Sequence, residues 1–77
     1  MTKEEFRKSK DYAESMQKIE NYYKGFTFTL KYGEIPKAKA NALKILTQDA
    51  IDRGILECIS IGLSINGDVV EEKYRRL

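Results

Sequence analysis

Seventy-seven residues with a formal net charge of +2, 42% hydrophobic and 34% charged, make a single domain over 1–77 with a thin core, not a disordered tail. So even a charge balance leaves no general nucleic-acid footprint, and what matters is where the charges cluster. One cysteine, Cys58, and no histidine exclude an internal disulfide, a zinc site of the usual kind and imidazole catalysis.

The first predicted element is a helix from about Lys3 to Lys24. Thr2-Lys3-Glu4-Glu5 fits a capping box, and Glu4 and Glu5 suit the positive end of the helix dipole. Phe6, Ala13, Met16 and Tyr23 recur at helical spacing with Ile19 on the flank. Gly25 ends the run. On this reading Tyr12 and Tyr22 are the aromatic residues left outside.

The period then changes from helical to alternating. Phe26, Phe28, Leu30 and Tyr32 interleave with Thr27, Thr29 and Lys31, which reads as a strand with one apolar face. Gly33-Glu34 turns the chain. Pro36 opens a second helix that runs to about Arg53 and is capped by Gly54. Ala38, Ala42, Leu43, Leu46 and Ala50 share its broad face, while Ile45 and Ile51 fall outside it.

In the last third Ile59, Ile61, Leu63 and Ile65 alternate with Cys58, Ser60, Gly62 and Ser64. Asn66-Gly67 is the preferred pair for a two-residue type I′ hairpin turn. That turn sets Leu63 against Val70, Ile59 against Tyr74 and Glu57 against Arg76. A competing reading makes Val69 to Leu77 a short helix. The expectation is an α+β fold in the order α-β-α-β-β, with two helices on one face of a three-stranded sheet and a C-terminal β-hairpin. A right-handed crossover makes the first two strands parallel, either adjacent or flanking the last one.

Little chemistry is open to such a chain. No phosphate loop of either glycine-rich kind is present, and a core this thin rarely encloses a catalytic cleft. No enzyme activity, cofactor, metal or small-molecule substrate is expected. Cys58 is the one thiol, placed on the polar face of its strand beside Arg75; it reads as a small residue on a partly covered face.

The second helix breaks a local rule. Lys37 and Lys39 lie in its first turn and Lys44 further along, whereas Asp49 and Asp52 lie near its end, opposite to the preference of the helix dipole. Free amides and two lysines there suit an anionic group, and Glu34 with solvent offsets the mismatch otherwise. Lys73, Arg75 and Arg76 form a second basic cluster, with Lys31 and Glu71 on the face of Lys73 and Arg75. The candidate partner-binding residues are therefore Lys37, Lys39, Lys44, Lys73, Arg75 and Arg76.

Two functions fit. In the first, the chain is a small protein-binding module (a regulator, inhibitor or accessory protein) that docks a partner, or a second copy as a homodimer, on a free sheet edge. In the second it binds nucleic acid through Lys37, Lys39, Lys44 and the basic C-terminal hairpin. That order is similar to winged-helix domains, which need two helices meeting at a turn, whereas Pro36 to Arg53 reads as one run. No apolar stretch fits a secretory signal, and Glu57, Ser60, Gly62 and Ser64 interrupt the run from Ile55 to Ile65, so no membrane span is expected. So small a domain without a disulfide reads as cytoplasmic. Lysine outnumbers arginine, isoleucine is frequent and tryptophan is absent, which suits an AT-rich bacterium, its phages or its mobile elements.

Overall fold

The computed structural model describes residues 2–77. They form three α-helices and a three-stranded antiparallel sheet, an α+β arrangement. In chain order these are α1 (Lys3–Arg7), α2 (Lys10–Glu20), β1 (Thr27–Lys31), a 3₁₀ turn (Tyr32–Glu34), α3 (Lys37–Asp52), β2 (Leu56–Leu63) and β3 (Val69–Arg76).

The single N-terminal helix expected from the sequence is two. Thr2 and Glu5 form the capping box of α1, but the helix stops at Arg7. Ser9 then serves both sides of the break. Its hydroxyl donates to the Phe6 carbonyl at 2.6 Å and accepts from the Tyr12 amide at 3.2 Å, which caps α2. The break rotates the buried face by about one position. Tyr12, Met16 and Ile19 enter the core, while Ala13 is exposed. Tyr23 lies beyond the end of α2 and is 72% exposed, whereas Tyr12, expected outside, is 7% exposed. Tyr22 is half-buried against Phe26 and Phe28.

Pro36 is the cap residue of α3 and not its first helical residue. At the other end Gly54 has φ +73°, its amide bonds to Ile51 O, and the Ile55 amide reaches Ala50 O at 2.9 Å. This is the Schellman closure, which needs a residue free to adopt positive φ. Ala40, Leu46, Thr47 and Ala50 are the buried residues of α3, and Ala38 is exposed. Thr47 tolerates burial because its hydroxyl donates to Leu43 O at 2.9 Å.

The strand order is β1-β3-β2, so β1 and β2 flank the last strand. Directly paired residues share a face of the sheet. On one face the rows are Phe28–Tyr74–Cys58 and Leu30–Glu72–Ile61, and Leu56 lies opposite Arg76. Leu56 and Tyr74 join Tyr12, Met16, Ile19, Leu46 and Ala50 in the core. On the other face the rows are Thr27–Arg75–Glu57, Thr29–Lys73–Ser60 and Lys31–Glu71–Gly62.

The hairpin forms, as a strand pair and not as strand plus short helix, with a different turn from that expected and with the expected register kept only from Ser60–Lys73 to Gly62–Glu71. Gly67 N bonds Ser64 O at 2.9 Å and Ser64 N bonds Asp68 O at 2.8 Å, which closes a three-residue loop. Only Gly67, at φ +86°, is left-handed; Asn66 is not. The type I′ turn is thus replaced by a type I turn followed by a glycine bulge. The ladder slips at Ile59 and again at Val70, so Leu63 faces Val69, Cys58 faces Tyr74 and Glu57 faces Arg75. The bulge at Ile59 reverses the phase of β2. It sets even-numbered Leu56 and Cys58 on the same face as odd-numbered Ile61, which a regular strand cannot do.

Candidate functional site

The six basic residues singled out by the sequence do not converge. Connectivity fixes where they lie. β1 ends beside Glu71 and α3 follows after a short turn, while α3 ends just before Leu56, which pairs with Arg76. Lys37 and Lys39 are therefore at the hairpin-loop end of the sheet and Arg75 and Arg76 at the opposite end.

Lys37 and Lys39 are exposed in a first turn that has no acidic residue and no side-chain cap. Lys44 lies over the Tyr32 ring, 4.9 Å from its centroid, a cation–π contact. Lys73 and Arg75 share the outer sheet face with Lys31, but Glu57 and Glu71 stand among them, and Arg75 is paired with Glu57. Arg76 points to the other face, where its guanidinium donates to Ile55 O at 3.4 Å and Glu20 O at 3.3 Å.

The acidic end of α3 has a structural explanation. Arg7 forms a two-pronged pair with Asp49, Nε to Oδ2 and Nη2 to Oδ1, both at 2.9 Å. The Tyr12 hydroxyl donates to the same carboxylate at 2.6 Å, and Arg53 reaches that hydroxyl at 3.4 Å. The Arg7 hydrogen bonds hold the Asp49 carboxyl below its ordinary range, against the opposing effect of burial, and Tyr12 adds to the lowering. Asp52 accepts from Gln48 at 3.0 Å. The unfavourable position of Asp49 in the dipole is outweighed by charge-assisted bonds that tie α1, α2 and α3 together.

A second polar cluster was not foreseen from the sequence. Glu72 accepts from Tyr32 at 2.6 Å on one oxygen and from Tyr74 at 2.8 Å on the other. Burial, then the bond to Glu72, pushes the Tyr32 hydroxyl well above its ordinary range. Burial also carries Tyr74 up to about 12. Both phenols therefore stay protonated as donors near neutrality. Glu72 and Tyr74 are neighbours on β3, but Tyr32 is 40 positions from Glu72, and the β1–β3 pairing brings it to them.

Cys58 is exposed, and its thiol donates to Ser60 O at 3.5 Å. The bulge moves it from beside Arg75, where the sequence placed it, to a position opposite Tyr74. Among the described residues no three His, Cys, Asp or Glu side chains could hold a metal ion, and no helix is long and apolar enough to cross a membrane.

The most conspicuous surface is the distal half of the hairpin. Ile61 is 57% exposed, Leu63 62%, and Ile65 fully so. Ile59, Val69 and Val70 are also exposed. The alternation puts Ile59, Ile61, Leu63 and Ile65 on one apolar face, but the hairpin extends past the part of the sheet that the core covers. β2 is an edge strand, and no charged residue occurs from Cys58 to Gly67. The opposite edge, β1, is five residues long, carries Lys31 and ends in the 3₁₀ turn. Short charged edges of that kind resist added strands, whereas a long uncharged apolar edge invites them.

An open groove of about 790 Å³ lies between α1 and α3, with Phe6, Ala38, Ala42 and Ile45 among the residues that line it. It accounts for Ile45, which the helical pattern left off the main face. Comparison of the chain with family models, curated proteins and solved structures finds no match to any of them.

Proposed function

We propose that the chain is a non-catalytic protein-binding module, of the regulator, inhibitor or accessory kind, that docks its partner along β2 and the distal hairpin. The observation that carries this reading is the exposed cluster of Ile61, Leu63, Ile65, Val69 and Val70 on an edge hairpin. Monomeric soluble proteins rarely expose so large a contiguous apolar patch without a use for it. The edge supplies main-chain donors and acceptors to an added strand, and the alternating side chains supply contact area. The basic residues give less support to nucleic-acid binding, because Lys73 and Arg75 are interspersed with Glu57 and Glu71 and Arg76 is held by the chain's own carbonyls.

The test is photo-crosslinking in cells that carry the protein. A photo-reactive side chain replaces Ile61 on the hairpin in one variant and Lys10 on α2 in another. The expected result is a protein adduct from position 61 and none from position 10. No adduct of any mass from position 61 contradicts the reading.

A further inference from the structure

We infer that the occupant of the β2 edge is a second copy of this chain, related by a two-fold axis, so that two three-stranded sheets join into one of six strands. This rests on the docking role proposed above and commits it to a partner.

Three features of the edge favour self-pairing. The first is charge. From Cys58 to Gly67 there is no ionisable group other than the thiol, and Glu57 is already satisfied by Arg75. A charged partner segment finds nothing to pair with there, whereas a second copy sets uncharged strand against uncharged strand with no like-charge cost.

The second is symmetry. A two-fold interface brings the same patch together twice, so the patch must complement itself. An apolar strand meets this condition in antiparallel pairing, because isoleucine and leucine on one copy face isoleucine and leucine on the other. The regular stretch from Ser60 to Gly62 follows the bulge at Ile59, and its outward amides and carbonyls are the ones an antiparallel copy would use.

The third is area. Against the ~800 Å² per partner of a standard interface, the residues Ile59, Ile61, Leu63, Ile65, Val69 and Val70 together expose on the order of 600 Å². That is about a tenth of the 5484 Å² surface of the chain, the usual share for a stable complex of small proteins.

The test is sedimentation equilibrium of the purified full chain from about 5 to 500 µM, where mass action separates monomer from dimer. Hydrogen exchange at both ends of the range reports where the contact lies. Wild type is expected to pass from monomer to dimer, with slower exchange of the amides of residues 60–64 at high concentration. Ile61→Lys is expected to remain monomeric at the top of the range, and Lys37→Glu to dimerise as wild type does. A chain that is monomeric throughout overturns the inference. So does a dimer that survives Ile61→Lys, since another surface would then be in use.

Failure here is distinguishable from failure of the docking role. A monomeric chain whose photo-reactive position 61 traps an adduct of some mass other than twice its own loses the self-pairing and keeps the docking surface. One that traps nothing loses both.

Discussion

Arg7 and Asp49 are 42 positions apart in the chain and meet in a two-pronged pair at 2.9 Å, with the Tyr12 hydroxyl on the same carboxylate. This contact anchors the short helix α1, which has no buried residue of its own, to the C-terminal half of α3. Asp49→Ala is expected to destabilise the fold by about 1–3 kcal/mol, mainly because the buried Tyr12 hydroxyl loses its acceptor. Chemical denaturation near neutral pH measures it.

The same carboxyl sets an acid limit. A group whose folded pKa lies below its unfolded value contributes stability that is present above the unfolded value, and loses it as pH falls through the folded one. Asp49 is of this kind. Below about pH 4 wild type is expected to lose stability more steeply than Asp49→Asn, and thermal melts from neutral to acid pH check the difference in slope.

On the alkaline side Tyr32 and Tyr74 contribute in the opposite sense, as does Tyr12. Their folded pKa values are raised, so their contribution is whole below the unfolded value and declines as pH rises from there through the folded one. For Tyr74 that window runs from 10.0 to about 12. Ultraviolet titration is expected to show tyrosinate appearing in this range together with unfolding. Tyr74→Phe is expected to lose about 1 kcal/mol at neutral pH and to unfold less steeply in alkali.

The turn makes opposite demands on its two central candidates. Gly67 alone has positive φ, so Gly67→Ala is expected to cost about 1 kcal/mol or more, and Asn66→Ala less than about half of that. Equal costs at both positions would indicate the two-residue turn that the sequence favoured. Denaturant midpoints of the two variants decide it.

Where the fold was legible, a local period carried the information. The alternation around Phe28 and Leu30 corresponds to β1, Gly54 marks the end of α3, and Asn66-Gly67 marks the hairpin loop. What escaped were changes of phase. Ser9 was read as one more helical residue although its hydroxyl caps a new helix, and this moved Tyr12 inward and left Tyr23 outside. The bulge at Ile59 shows only in the pairing with β3, which a period within β2 does not reveal. For the same reason the alternation alone does not tell whether the isoleucines past the bulge are core or surface. Their exposure depends on how far the helices cover the sheet, a tertiary property. The uncharged run from Cys58 to Gly67 was visible in the sequence, and it is the signal that could have marked the surface.

On the docking role proposed above, the distal hairpin is partner surface and not core. The most direct measurement is chemical denaturation of Ile61→Lys combined with Leu63→Lys at about 1 µM, low enough to suppress association, beside Leu56→Ala as the core control. Leu56 is 1% exposed, and its truncation is expected to cost about 2–5 kcal/mol. The double lysine variant is expected to stay within about 1 kcal/mol of wild type. A loss as large as that of Leu56→Ala would show that Ile61 and Leu63 hold the fold together, and would contradict a docking role for the hairpin.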